Sequence, residues 1–527
     1  MPHSRQLNRR DLLKLGLAGS AALMLPLERT ARTHLAISDR LPASKLPAPF
    51  TTAFVNPPVA QPAKVTADAD IYDITMKSFR EEVIPGYKTE LWGYNGSVPG
   101  PTIRVRRGRK AIVRHTNSLP AAHPTLRYKP WTSVHLHGSA SLPQYDGYAS
   151  DITNPGEYKD YRYPNIQDAR TLWYHDHGVH HTSSNVYMGL FAQYQMSDAV
   201  EDSLPIPKGR YDVPLLISDA MFANDGSLLF DTEGDSSLYG DVILANGRPW
   251  PAMKVERRKY RFRMLNCSLS RSYRFALSTG DPFTVIATDG GLMPAPQQVT
   301  QFRHGMAERY EVVIDFSKYK IGQRVVLKNL SNRNNEDYDT TGKVMAFDVT
   351  GDATDTSNNS VPGQLNPNLD VMGLKESDAV RTRRFKFERS GGQWTINDKT
   401  WQDVVDSDFR FVSANPGLND TEIWEFANSS GGWFHPIHVH LVDFKVLTRN
   451  SAAPFAYEKG PKDVVYVGEG ETVRVVAKFG PQKGKYMMHC HNLVHEDHDM
   501  MVQFEVGSGG DDPIKAAPAK PLPAPPL

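Results

Sequence analysis

Ten of the eighteen histidines in this 527-residue chain fall into four short windows. These are His135-Leu136-His137, His175-Asp176-His177, His435 followed by His438-Val439-His440, and His489-Cys490-His491 followed by His495. Each window holds a His-x-His pair. On a β-strand residues i and i+2 project from one face, so each pair aims two imidazoles at one point. A single pair is weak evidence, because core and solvated histidines are common, but four pairs in one chain require a shared cause. Eight converging imidazoles form a metal cluster. Two pairs lie early in the chain and two late, so the chain must fold back and hold the metal between its first and last parts.

The last window also contains a second centre. On its strand Cys490 points away from His489 and His491, so its thiolate serves a different ion. His435, His495 and Met500 are its natural companions. Met501 is an alternative sulfur, but adjacent residues point apart and only one of the two reaches the metal. A thiolate, two imidazoles and a weak thioether are the ligand set of blue-copper electron transfer, since soft sulfur stabilises the reduced ion and imidazole tolerates both oxidation states. Cys490 is then one residue from a cluster histidine on either side, a covalent path for electrons. With only two cysteines a CxxC zinc site is excluded, and Cys267 is expected to be a buried thiol. The histidines outside the ligand set, including His180, His181, His498 and His304, are read as structural or solvated.

The frame that carries these strands reads as all-β. Thirty-nine glycines and 38 prolines imply many turns, and alternation in segments such as Tyr310-Glu311-Val312-Val313-Ile314-Asp315-Phe316 places one face on a core. Three segments look alike: Val105 to Ser118, Val255 to Ser268 and Asn419 to Ser430. Each is a strand closing on Asn-Ser or Asn-x-Ser, at Asn117, Asn266 and Asn428, and the three recur at a domain-sized interval. Three copies of one β-sandwich follow, over 46–205, 206–352 and 369–507, with Pro-punctuated linkers between them. The Gly/Pro/Ala-rich stretch 508–527 is expected to be disordered. Sixty basic against 59 acidic residues, without a basic block, argues against a nucleic-acid partner. The first residues contain Asn8-Arg9-Arg10-Asp11-Leu12-Leu13-Lys14 and an apolar run from Leu15 to Leu27, too short to span a bilayer. Residues 1–33 resemble a twin-arginine export leader, which implies delivery of a folded protein to the periplasm or outside the cell, with no stable membrane insertion after its removal.

Three strings take the reading further: "TLWYHDHG" from Thr171 to Gly178, "GGWFHPIHVHLVDFKV" from Gly431 to Val446 and "HCHNLVHEDHDMM" from His489 to Met501. With them the chain resembles the multicopper oxidase family, and within it the bilirubin oxidase and spore-coat laccase-like branch. The resemblance implies three tandem cupredoxin-like Greek-key β-sandwich domains holding four copper ions. It assigns His435, Cys490, His495 and Met500 to type 1 copper and His135 with His438 to type 2. The type 3 pair takes His137, His175 and His491 on one ion and His177, His440 and His489 on the other. The implied activity is oxidation of a reductant one electron at a time, with dioxygen reduced to two waters. Bilirubin-like tetrapyrroles and phenolic or aromatic donors are the implied substrates, and a monomer suffices.

Dioxygen reduction in a buried cluster consumes protons that carboxylates must deliver. Asp146 and Glu496 are the candidates, and in the resembling branch carboxylates at these places line the proton and water path. Asp497 and Asp499 are read as surface charges. Asp443 is placed as an orienting partner of a ligand histidine. Trp433, two residues before His435, shares its side of the strand and would shape a pocket for a flat donor. An axial methionine implies a moderate potential. Mn(II) oxidation on the same scaffold stays open as an alternative, Cu(I) oxidation is disfavoured by scattered methionines, and the complete ligand set argues against a copper-free scaffold protein.

Overall fold

The computed structural model describes residues 39–230, 236–368 and 370–527. The expected export leader of residues 1–33 lies outside the described residues. The described residues form three β-sandwiches whose sheets repeat one arrangement.

In each unit a long strand lies parallel to the strand that carries the repeated asparagine at or next to its last residue. These pairs are β1 (Ala69–Glu81) with β2 (Lys110–Ser118), β7 (Asp212–Ala220) with β8 (Lys259–Asn266), and β10 (Arg381–Ser390) with β11 (Thr421–Asn428). An antiparallel neighbour follows on the far side of β2, β8 and β11 in turn, namely β4 (Glu157–Tyr163), β9 (Arg309–Asp315) and β14 (Thr472–Lys478).

The three asparagines do the same work. Each side-chain oxygen accepts the backbone N–H two residues on, at Leu119, Ser268 and Ser430, and each side-chain amide donates to backbone carbonyls across the adjoining loops. All three are buried. Asparagine suits the place because one short side chain closes an Asx turn and bridges two strands at once. At roughly 1 kcal/mol net per hydrogen bond, the full set makes each a fixed point of its sandwich.

The second sheet of the first unit carries β3 (Val134–His137), β5 (Arg170–Asp176) and β6 (Phe191–Ser197). β3 and β5 pair with His135 opposite His175. In the third unit β12 (His435–Val439) lies between β13 (Val464–Val467) and β15 (Gly484–Cys490), with His438 opposite His489 and Ile437 opposite Cys490. β16 (Met501–Val506) completes that sheet. Aromatic cores hold the units, such as Phe385, Trp424, Phe426 and Phe504 in the third and Tyr94, Tyr174 and Tyr194 in the first. Helices are short: α1 (Thr182–Met188), α2 (Ala199–Ser203), α3 (Trp401–Asp406) and α4 (Leu493–Asp497). Among the described residues no helix is long and apolar enough to cross a membrane.

One expectation is corrected. The stretch 508–527 is ordered along the first sandwich, where β17 (Lys520–Pro521) pairs with Tyr158 and Glu157 at the free edge of β4. Leu522 N–H donates to Gly156 O at 2.9 Å, and Arg114 Nη1 donates to Pro525 O at 2.6 Å. Proline-rich sequence lacks the periodicity of a core strand, yet an edge strand needs ladder bonds on one side only, which proline tolerates.

Candidate metal centre

Cys490 ends β15, and its Sγ faces the core of the third sandwich. His435 Nδ1 stands 3.2 Å from it, His495 Nδ1 stands 3.6 Å from it, and the two nitrogens are 3.3 Å apart. All three residues are buried and form a compact donor triangle. The outer nitrogens are held: His435 Nε2 meets Ser430 Oγ at 2.7 Å and His495 Nε2 meets the Asn492 amide at 3.1 Å. Asn492 N–H points at the sulfur at 3.4 Å. Met500 is fully buried in the same apolar cluster as Cys490, whereas Met501 packs into a different one with Met487, Tyr148 and Trp401. The structure thus sends the two methionines, at the entry to β16, into different clusters.

His489 and His491, on either side of Cys490, turn to the opposite face and join the other three pairs. The hydrogen bonds fix which nitrogen of each ring is free. A backbone carbonyl only accepts, so a ring nitrogen bonded to one carries the proton and leaves the other as a lone pair. His135 Nδ1 is bonded to Asp146 O, His438 Nδ1 to Asp463 O and His175 Nδ1 to Asp176 O. The free Nε2 atoms of His135 and His438 then face one another at 3.4 Å. His440 Nε2 and His177 Nε2 lie 3.1 and 3.2 Å from His489 Nε2. His137, His175 and His491 gather nearby, with ring centroids 5.2 to 5.7 Å apart.

Both proton-path candidates touch this cluster directly. Asp146 Oδ2 accepts from His440 Nδ1 at 2.8 Å, and its backbone carbonyl takes His135. Glu496 Oε2 lies 2.9 Å from His489 Nδ1, and Oε1 lies 3.6 Å from His177 Nδ1. Burial raises both carboxyl pKa values, that of Asp146 well above the usual range, while His177 works against the rise at Glu496. Burial likewise lowers the imidazoles, His177 to about 4 and His489 to about 3. They are neutral at pH 7, the form that binds metal. Helix α4 serves both centres, since its adjacent residues His495 and Glu496 face different ones.

Two expectations change. Asp443 touches no ligand histidine: its carboxylate takes both bonds from Arg170 Nη1, at 2.9 and 2.7 Å. Leu441, with φ of 73°, turns the chain directly after His440, so Asp443 leaves the line of β12. Beside Asp146, the carboxylate that holds a cluster histidine is that of Asp463, whose Oδ1 lies 3.1 Å from His137 Nε2. Asp497 is no ordinary surface charge either. It accepts from Thr182 N at 2.8 Å, Ser183 N at 2.9 Å and Ser183 Oγ, satisfying the open N–H groups at the start of α1. Trp433 is half-buried, with its ring edge-on to His495 at 5.8 Å. The face of His495 is covered instead by Trp394, stacked at 3.8 Å, a residue the sequence did not single out.

The donor set fits metal ions. Two nitrogens each about 2.0 Å from a shared ion lie roughly 3.3 Å apart at a tetrahedral angle, and a sulfur at about 2.3 Å lies roughly 3.5 Å from such a nitrogen. The observed separations match these chords. Buried and without hydrogen-bond partners are His175 Nε2, His137 Nδ1 and both nitrogens of His491. Leaving so many buried polar atoms unpaired is costly unless an ion takes them.

Residues 78–198, 215–348 and 375–510 each match a family described as multicopper oxidase. A bilirubin oxidase from Albifimbria verrucaria is 42% identical over 86% of this chain and 81% of its own length. A laccase from Bacillus stratosphericus is 36% identical over 85% of this chain and 97% of its own. Among solved structures, the McoA multicopper oxidase of Aquifex aeolicus is similar with a TM-score of 0.78 at 28% identity, covering 88% of this chain and 100% of that one.

Proposed function

Because this chain belongs to the multicopper oxidase family, we propose that it oxidises bilirubin-like tetrapyrroles and phenolic or aromatic donors, with dioxygen as the electron acceptor. His435, Cys490, His495 and Met500 would hold one copper, His135 and His438 a second, and His137, His175 and His491 with His177, His440 and His489 the remaining two. Copper bound there supplies one-electron acceptance beside Cys490 and four-electron reduction of dioxygen to two waters at the histidine cluster. The observation that carries this reading is the placement of Cys490, with its sulfur 3.2 Å from His435 while the flanking residues His489 and His491 belong to the cluster.

The chain's own residues shape each half of the chemistry. At the donor side the half-buried Trp433 offers an aromatic face next to His495. A cleft of about 260 Å³ between the second and third sandwiches opens beside the loop that precedes His435, where Glu469 accepts Gly432 N–H at 2.8 Å. Arg303 lies over the Tyr466 ring in this cleft at 3.7 Å, and Arg333, Glu469 and Glu471 also line it, so the wall combines an aromatic ring with charges of both signs. At the oxygen side Asp146 accepts from an outer nitrogen of His440 and Glu496 stands beside His489, and burial raises both carboxyls, which favours the protonated form that can pass a proton inward. The leader motif Asn8 to Lys14 supports export by the twin-arginine route to the periplasm or beyond, and the complete ligand set within one chain supports a monomer.

Oxygen uptake by the copper-loaded protein tests the substrate reading. Bilirubin and a methoxyphenol should each drive uptake at one dioxygen per four electrons. Uptake with Mn(II) but with neither organic donor would overturn it in favour of a metal oxidase. Against that second reading, Glu469 and Glu471 beside the His435 strand are already paired, with Arg333 at 2.8 Å and Arg449 at 3.0 Å.

A further inference from the structure

The second sandwich contributes none of the ligand histidines, and its buried His304 is spent on Glu308 O at 2.6 Å. One of its side chains nevertheless reaches the cluster. Arg309, at the start of β9, is fully buried and grips Asp463 with both arms, Nη1 to Oδ1 at 2.7 Å and Nη2 to Oδ2. Its Nε donates to Thr171 O at 3.0 Å, on the same strand as His175, and Nη2 also donates to Asp289 O at 3.1 Å. A single guanidinium thus ties all three sandwiches together behind the metal site.

Asp463 hands that restraint to two ligands. Its carboxylate takes His137 Nε2 at 3.1 Å, its backbone carbonyl takes His438 Nδ1 at 2.9 Å, and the two rings stack at 3.6 Å. With Nε2 engaged, His137 has only its unpartnered Nδ1 to turn toward an ion, whereas His135, His175 and His438 present Nε2. Gly138 makes room for the pair. Its φ is +85°, and a Cβ there would sit 2.5 Å from Asp463 Oδ2 and 2.6 Å from Arg309 Nη2. The glycine after His-Leu-His therefore lets a charged pair from two other units press against the ligand turn.

We propose that the Arg309–Asp463 pair is the positioning device of the histidine cluster, through which the ligand-free second sandwich decides which nitrogen of His137 faces the metal and fixes the ring of His438. Neither residue touches the reacting atoms; both act through the histidines. The inference rests on the ligand set given under Proposed function. Partners that orient a ligand are generally worth about 10–100-fold in metal affinity.

The test uses the copper-loaded full chain with Asp463→Asn and Arg309→Lys, each near the parent in size, and reads copper retention against a chelator together with the type 2 EPR spectrum and the blue absorption band. Asp463→Asn is expected to loosen cluster copper by about 10–100-fold and to shift the type 2 hyperfine splitting, with the blue band kept. Arg309→Lys, which keeps the charge but loses the two-armed grip, should move the same readouts in the same direction by less, and it carries the test if Asp463→Asn does not fold. Unchanged retention and EPR spectra would overturn the proposal, as would equal loss from both centres, which marks a general packing role. A loaded parent with a blue band but no type 2 signal would instead overturn the ligand set, and the inference with it.

Discussion

The four residues of the first centre, His435, Cys490, His495 and Met500, all come from the third sandwich, on β12, β15 and helix α4 with the residues that follow it. The histidine cluster takes His135, His137, His175 and His177 from the first sandwich, His438, His440, His489 and His491 from the third, and a brace from the second through Arg309. The first centre depends on the packing of one domain. The second exists only where three domains meet, and outer nitrogens of its histidines are held by Asp146 and Asp463, with the Glu496 carboxylate beside His489. A change that loosens contacts between sandwiches should therefore spare the first and damage the second.

Substitutions can break this contrast at graded strength. The largest effect belongs to Cys490→Ser, since an alcohol oxygen cannot replace the soft thiolate. The blue band and all turnover should vanish while the type 2 EPR signal persists, which absorption and EPR on one sample would check. Next comes Glu496→Gln. General acid–base groups are commonly worth about 10²–10⁴-fold, so reoxidation of the reduced protein by dioxygen should slow within that range while the donor still bleaches the blue centre at the parent rate. Stopped-flow measurement of the two half-reactions separates them, and equal slowing of both would contradict the assignment.

Gly138→Ala is smaller and falls on one centre alone. The added carbon collides with the Arg309–Asp463 pair, so cluster copper should be released about 10–100-fold more readily, with the blue band retained, as metal analysis after dialysis would show. Met500→Leu is the mildest. Removing a weak thioether donor should raise the potential of the blue centre and leave the cluster spectrum unchanged in a redox titration. No shift would mean that the sulfur packed in the Cys490 core is not a ligand.

The difference between the centres also explains what the sequence made legible. Histidines two apart on a strand announce themselves, and so does a cysteine between two of them, because strand alternation fixes where they point. The asparagine repeat was readable for a similar reason: Asn117, Asn266 and Asn428 each satisfy the same local turn. Asp463 was not. It sits in an unremarkable Pro-Lys-Asp-Val-Val stretch and gains its role from Arg309 of another sandwich and His137 of a third, a meeting with no periodic trace. Asp443 looked better placed because it follows His440 closely, but the turn at Leu441 sends it to Arg170 instead. Trp394 was missed in favour of Trp433 because nearness along the chain to His435 stood in for nearness in space to His495. The ordered C-terminal stretch was hidden by its prolines, whose pairing along β4 depends on an edge that composition does not reveal.

Copper analysis of the loaded chain, with visible and EPR spectra on the same sample, tests the central claim most directly. The account predicts about four copper ions per chain, an intense blue band from the Cys490 site and a separate type 2 signal from the cluster. Copper bound with a blue band alone, or little copper after thorough loading, would contradict it, because the cluster that joins the three sandwiches would then not assemble.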